Sequence, residues 1–363
     1  MPDDTDRPPG ESSVNILEKA SLAHLCTLGV GGPAACLAVA QSAADVEQIV
    51  RWARLRGLPL WVLGGGSNVV VSDRGLDGVV LRIALRGTRW FSETGLVEAS
   101  AGESWDDLVR EAVDRGWAGV ECLSGIPGSV GATPIQNVGA YGQQVSETIT
   151  SVRVYDRVED RVTRLSREDC RFGYRSSIFK SAADRYIVLS VEFQLRPGDP
   201  PAPTYAPLVE RLARAERPTL EHARSEVLEL RRAKSMLYDP RNAADGTCGS
   251  FFLNPVVDTA RLEAIRRTAG RLEVPSWPQG SGTVKLAAAW LIEQSGLPRG
   301  SQDGNVGLSP HHALAIVCRR GARAADVIRF ARRVQAAVRD KFGICLEPEP
   351  TFLGWPANSG LPA

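Results

Sequence analysis

The chain has 363 residues, 43% of them hydrophobic, which is enough apolar material for two or three cores. Its 43 basic and 42 acidic residues leave a net charge of +1, so there is no global basic field to hold nucleic acid. The longest apolar runs, such as Ala313–Cys318, fall far short of the ~20 residues of a membrane span, so no membrane insertion is expected. The acidic, proline-bearing N-terminus is the opposite of a signal peptide. Seven cysteines form no C-x-x-C, and His311 and His312 are adjacent, a spacing that does not suit metal ligands on one helix face. The expectation is a reduced, cytoplasmic, metal-free protein.

In chain order, residues 1–20 read as an unstructured lead-in. Residues 42–57 read as a helix. Ser42 and Asp45 have capping-box spacing, Val46, Ile49, Val50 and Ala53 share a face, and Gly57 is placed to stop it. The β-branched runs of 59–83, broken by glycine turns, read as strand–loop–strand. Ser104 and Asp107 start a second helix, with Trp105, Leu108, Val109 and Ala112 on one face. Residues 149–166 read as a hairpin turning near Glu159–Asp160. In 186–196, Ile187, Leu189, Val191, Phe193 and Leu195 alternate to one side. The proline-rich segment 196–207 reads as a boundary. Beyond it come a helix at about 219–233, a loop over 237–257, a helix at about 283–295 and a last helix at about 323–342, ended by Gly343. Helices and strands alternate irregularly, which points to α+β architecture rather than a doubly wound sheet.

Two glycine-rich stretches stand out. In "LGGGSN", Leu63–Asn68, three glycines after an apolar strand can bring backbone N–H groups against a phosphate. A Rossmann turn would need glycine at position 69, where Val69 stands. The second stretch is "LSGIPGSVGATPIQNVGAYGQQV", Leu123–Val145. Here Gly125, Gly128 and Gly131 recur every third residue, with Ser124 and Ser129 among them. Each alone reads equally as a tight turn or a buried crossover. Together, in one domain, they favour a dinucleotide. In "CRFGYRSSIFK", Arg175 beside Tyr174 and two serines suits a carboxylate, because its planar fork pairs both oxygens; a surface turn is the plainer alternative. Ser250 in "GSFFLNP" lies outside any G-x-S-x-G, so a hydrolase nucleophile is disfavoured and a turn or cap is the alternative. The "LEPEP" tail holds two carboxylates in an apolar, proline-stiffened setting, or simply in solvent.

These motifs, in this order over about Leu25–Gly354, together with "VKLAAAWLI", resemble the UDP-N-acetylenolpyruvoylglucosamine reductase family. The resemblance implies a flavin fold of the vanillyl-alcohol-oxidase/PCMH type with a C-terminal α+β substrate domain. It divides the chain into FAD-binding parts over 21–88 and 89–225, a UDP-sugar domain over 226–343, and a tail over 344–363 that returns to the active site. Non-covalent FAD would be held by Gly64, Gly65, Gly66, Ser67 and Asn68, and by Ser124, Gly125, Pro127, Gly128, Ser129, Gly131, Asn137, Gly139 and Ala140.

The implied reaction has two halves. NADPH delivers hydride to the flavin, which passes it to C3 of an enolpyruvyl ether, and C2 is then protonated. The resemblance carries three catalytic roles onto Arg175, Ser250 and Glu349. Arg175 would hold the substrate carboxylate as charge grows, and Ser250 would protonate C2. Glu349 would act protonated or polarise another donor, since an ionised carboxylate would repel the developing charge. Tyr174, Tyr205, Lys234 and Asn254 match substrate-binding positions, and the residues around Tyr205 match the longer, type I branch of the family. Two departures stand out: Gly29 replaces a frequent arginine, and His311 or His312 stands where relatives often carry glutamine. The rival readings are another flavin oxidoreductase of the same fold, acting on an alcohol or sugar, and a non-catalytic UDP-sugar-binding protein. Small molecules are the expected partners, and the sequence names no protein partner.

Overall fold

The computed structural model describes residues 15–238, 245–270, 273–280 and 282–356. The chain divides into two compact units. The first takes the residues up to Ala20, Ala34–Gly66 and Asp77–Arg232; the second takes Ser21–Pro33, Ser67–Leu76 and the chain from Ala233 onward.

In the first unit a four-stranded sheet runs in the order Asn15–Ser21, Pro33–Ala40, Leu76–Ile83, Leu60–Leu63. The expected lead-in therefore ends before residue 20, because Asn15–Ser21 is a strand; residues 1–14 lie outside the described residues. Helix α1, Ala43–Leu55, starts as its sequence requires. Asp45 accepts the Ser42 N–H at 2.9 Å and the Ser42 hydroxyl accepts the Asp45 N–H at 3.1 Å. Val46, Ile49, Val50 and Ala53 are its buried face.

A five-stranded antiparallel sheet follows, in the order Arg161–Ser166, Ile149–Asp156, Tyr186–Gln194, Leu96–Ser100, Thr88–Phe91. The expected hairpin turn carries Asp160 at φ +51°. Tyr186–Gln194 is paired on both sides. Ile187, Leu189, Val191 and Phe193 are buried as their alternation requires, but Val188 and Ser190 are buried too. On that second face the Ser190 hydroxyl meets Glu98 across the sheet at 3.2 Å. Helix α2, Trp105–Asp114, buries Trp105 against Phe193, with ring centroids 5.8 Å apart. A single turn, α3, spans Ile178–Ser181.

The proline-rich segment is not where the units divide. It leads into α4, Ala206–Leu212, and α5, Leu220–Ala233, and the division falls at Arg232/Ala233. The reason is packing. Ala223, Val227 and Leu230 of α5 close a small core with Leu208, Leu212 and Cys122.

The second unit holds a four-stranded sheet, Asp245–Ser250, Ala315–Arg319, Val306–Leu308 and Gln302–Asp303, and a three-stranded one, Val256–Asp258, Thr283–Leu286 and Ser276–Gly280. Two expectations change here. Part of the expected loop over 237–257 is the strand Asp245–Ser250; residues 239–244 lie outside the described residues. The helix expected from about residue 283 begins later, as α7, Ala288–Gln294, because Thr283–Leu286 is the central strand, paired on both edges. A helix not foreseen, α6, spans Thr259–Ala269 between an Asp258 cap and Gly270 at φ +61°.

Helix α8, Ala324–Phe342, is the spine of this unit. Val327, Phe330, Ala331, Val334 and Val338 are buried, and Gly343 ends it at φ +62°. Its first two amides are capped from the Ser67–Leu76 segment, where Asp73 accepts the Ala324 and Ala325 N–H groups at 2.9 Å each. Removing that carboxylate leaves two helix-terminal donors without it. Asp73→Ala should therefore lower stability by about 1–2 kcal/mol in chemical denaturation, with Asp73→Asn losing less. An unshifted Asp73→Ala midpoint would refute the cap.

Candidate active site

The two glycine-rich stretches meet in the first unit. A Cβ on Gly65 would lie 2.6 Å from the Gly128 Cα, and one on Gly64 would lie 2.7 Å from the Ser129 Oγ. Gly131 is as confined, since its Cβ would come within 2.5 Å of the Ala101 Cβ. Gly66 has φ +64° and Gly128 φ +121°, backbone that side chains rarely adopt. The strand Val69–Val71 follows the first stretch where a Rossmann turn would give a helix.

The second stretch is fastened to the start of α2. The Trp105 N–H donates to the Gly128 C=O at 3.1 Å and the Trp105 indole to the Leu123 C=O at 3.1 Å. Gly125–Gly128, including Pro127, is half-buried backbone. Ser129 is buried, and its Oγ has no hydrogen-bond partner among the described residues. A buried hydroxyl left this way costs free energy unless a ligand meets it. A cradle with no room for a Cβ at Gly65 or Gly131, with an orphaned hydroxyl in it, fits a bound phosphate-bearing cofactor.

Not every residue of the stretch faces outward. The Ser124 hydroxyl donates to the Glu121 C=O at 2.6 Å. The Gly125 N–H donates to Asp106 at 2.5 Å, and its C=O accepts from Arg231 Nε at 3.0 Å. Arg224 grips the Asp106 carboxylate with both arms of its fork, at 2.6 and 2.9 Å. Burial alone would raise the Asp106 pKa, but the Arg224 fork and the Gly125 N–H outweigh it and hold the carboxyl below its usual value. So the groups of Ser124 and Gly125 expected to face a phosphate are spent inside the protein. Arg224 and Arg231 escape sequence reasoning because they meet Asp106 and Gly125 across more than a hundred positions.

Arg175 sits at the tip of a turn closed by a bridge between Gly173 and Ser176, with φ +50°. Its Nη2 donates to the Gly139 C=O at 2.7 Å, and the exposed Tyr174 ring lies 5.7 Å from its guanidinium. Ala140 forms a two-residue ladder with Gln143 beside it. Tyr205 stands at the N-cap of α4, its ring edge-on to Tyr141 at 5.4 Å.

Ser250 and Glu349 lie together in the second unit. Ser250 ends its strand opposite Ala315, and Phe251 and Phe252 are buried behind it. The tail then zips alongside: the Glu349 N–H donates to the Phe251 C=O at 2.9 Å, and the Leu253 N–H to the Glu347 C=O at 2.9 Å. Asn68 brackets Glu349 from the other side. Its Nδ2 donates to the Glu349 C=O at 3.3 Å, and its C=O accepts the Thr351 N–H at 3.0 Å. Ser67, just before it, opens the same segment of this unit. Asn254 accepts the Ala288 N–H at 2.9 Å through its Oδ1, which leaves its amide N–H groups as the ones it can offer.

His312 accepts the Leu314 N–H on Nδ1 at 3.1 Å, so the neutral ring carries its proton on Nε2. Burial, helped by Lys234 and Arg299, pushes its pKa down to about 4. Among the described residues no group of His, Cys, Asp and Glu could hold a metal ion.

Comparison with known proteins defines first a class. Residues 34–166 match the FAD binding domain family, and the chain is an FAD-binding flavoprotein of α+β fold. Residues 239–353 match the C-terminal domain of UDP-N-acetylenolpyruvoylglucosamine reductase. The reductase of that name from Salinispora arenicola is 46% identical over 95% of this chain and 98% of its own length. The one from Pseudomonas aeruginosa is 41% identical over 94% of this chain and 99% of its own. The crystal structure of the enzyme from Thermus caldophilus superposes with a TM-score of 0.64 at 26% identity, covering 94% of this chain and 99% of that one. The chain belongs to the UDP-N-acetylenolpyruvoylglucosamine reductase family.

Two predictions follow from this geometry. Gly65→Ala forces a Cβ onto the Gly128 backbone, so FAD affinity measured by flavin fluorescence titration should fall by about ten- to a hundredfold, the order expected for overpacking that makes backbone shift. Gly64→Ala displaces only the Ser129 hydroxyl and should lose less; equal and full retention of FAD by both would refute the close approach. For His312, the unfolded chain binds a proton below pH 6.5 that the folded ring refuses until about 4. Folding stability should therefore fall as pH drops through that window. His312→Gln, which cannot titrate, should flatten that part of the stability–pH curve, and an unchanged slope would show the imidazole titrates normally.

Proposed function

We infer that the protein reduces UDP-N-acetylglucosamine enolpyruvate to UDP-N-acetylmuramate, with FAD bound and NADPH as reductant, in peptidoglycan precursor synthesis. The reading rests most on one observation: the tail pairs with the segment after Ser250, so a hydroxyl and a carboxylate that are 99 positions apart stand on neighbouring segments of the chain. Bound FAD supplies the hydride carrier between NADPH and the substrate double bond.

The chain's own residues do the rest. Arg175 takes the substrate carboxylate, and its planar fork tightens as negative charge grows there. Ser250 gives its proton to C2; a hydroxyl is acid enough because a carbanion is far more basic. Glu349 works protonated, or by polarising the neighbouring donor, because an ionised carboxylate would oppose the developing charge. Gly64–Gly66 and Gly128–Gly131 cradle the cofactor phosphates. Tyr174, Tyr205, Lys234 and the Asn254 amide face the UDP-sugar. The first unit is assigned to FAD, and the second, with the tail, to the sugar nucleotide. An oxidase of alcohols would need a base where this set offers acids, and a passive sugar-nucleotide binder would have no use for the cradle. No described helix is long and apolar enough to cross a membrane. The reading places the enzyme in the cytoplasm with small-molecule partners.

The test separates the two half-reactions. The purified protein should be yellow, and NADPH should bleach it anaerobically. Ser250→Ala should bind FAD and bleach at nearly the wild-type rate, then reoxidise about 10²–10⁴-fold more slowly when the enolpyruvyl substrate is added. Stopped-flow flavin absorbance measures both steps. A colourless protein that takes up no FAD would sink the reading. Slow bleaching with normal reoxidation would move Ser250 to the nicotinamide step.

A further inference from the structure

We propose that Asn137 is a positioning residue for Arg175 rather than a contact to the cofactor. The proposal rests on the reading that Arg175 binds the substrate carboxylate.

Asn137 is 2% exposed and adopts φ +47°, a region that asparagine tolerates and most side chains do not. Its amide is spent on the protein. Nδ2 donates to the Gly173 C=O at 3.0 Å and to Gln144 Oε1 at 3.1 Å, while Oδ1 accepts the Ser146 N–H at 3.2 Å. A primary amide has two N–H donors, so none remains for a phosphate or a ring. The same residue's backbone C=O accepts Arg175 Nη1 at 3.4 Å, next to the Gly139 C=O that takes Nη2.

Asn137 thus holds Arg175 twice. Its side chain pins the Gly173 end of the turn, and its carbonyl meets the guanidinium. The far end is pinned as well, since the Ser177 hydroxyl donates to the Ile135 C=O at 2.5 Å. The turn needs these ties. Arg175 is itself at φ +50°, a conformation that persists only where neighbours over-determine it. With the tie cut, the turn relaxes and the fork loses its aim, although no group that touches substrate has been removed.

Asn137→Gly is the cleanest probe, because glycine takes φ +47° without strain while all three side-chain bonds vanish. FAD affinity and the NADPH bleaching rate should stay within about twofold of wild type, while reoxidation by the enolpyruvyl substrate slows by about ten- to a hundredfold. In an Arg175→Lys background the same substitution should add little, because it acts through the guanidinium already removed. Asn137→Asp keeps the acceptor for Ser146 and loses the donor to Gly173, so it should show the same split if the glycine variant folds poorly. Weakened FAD binding or slowed bleaching in either variant would overturn the proposal in favour of a cofactor contact. Effects that multiply in the double variant would overturn it too. Failure of the wild type to reoxidise with the enolpyruvyl sugar would instead overturn the functional reading on which it rests.

Discussion

Gly65 lies so close to Gly128 that a side chain on Gly65 would press on the Gly128 backbone, and the cradle of the first unit depends on that contact. Two loops can come this near only if their backbone polar groups are satisfied some other way than by pairing with each other. The start of α2 provides for one of them. It meets Gly128 through the Trp105 amide and Leu123 through the indole, and the same Trp105 is wholly buried against Phe193. A glycine-rich stretch that would be a flexible linker in isolation is thereby made rigid. Its few apolar side chains serve as anchors: Leu123 and Val130 are fully buried, while the glycines between them keep their backbone accessible.

The second unit solves a different problem, which is to hold Ser250 and Glu349 on neighbouring segments. A chain end is usually the first part to fray. The segment 347–355 is instead zipped to the one after Ser250, runs parallel to Val69–Val71, and has the Trp355 indole donating to the Val70 C=O at 3.0 Å. Glu349 therefore lies inside a paired segment. His312 completes the pattern: a neutral ring of fixed tautomer beside cationic residues is a donor that does not add to their charge.

How much was legible depended on how local the cause was. α1 and α2 were plain, because cap residue and apolar face lie within one window; α8 was plain from its apolar face and Gly343, although Asp73, which caps it, lies far away in the chain. α6 carried the same signals, Asp258 and Gly270, but around a less regular apolar face, and it was not foreseen. Asp245–Ser250 could not be found that way. Its residues have little strand preference, and it is a strand because Ala315–Arg319 lies beside it. Thr283–Leu286 runs straight into a helical pattern and is claimed by two partners on its edges. The same rule governs the site. Glycine spacing announced the cradle, but Arg175, Ser250 and Glu349 carried roles only through family resemblance, and nothing local marked Asn137 as the holder of a turn at Gly173.

The charges beneath the cradle follow from how its backbone is fixed. Fixing the Gly125 peptide by its N–H requires a strong acceptor, and Asp106 in the first turn of α2 is well placed to be one. A bare carboxylate there would oppose the phosphates of a flavin dinucleotide, and the Gly125 N–H would no longer be free to offset it. The two arginines of α5 resolve the conflict. Arg224 neutralises the carboxylate through a two-pronged bond, and Arg231, only 7% exposed, adds a second cation against the other side of the same peptide. Desolvating Arg231 is costly, and it is tolerable here because the guanidinium is hydrogen-bonded to the Gly125 C=O. The Gly125 peptide is thus tied at both its N–H and its C=O, and the two arginines shift the local charge toward the sign that an anionic cofactor needs.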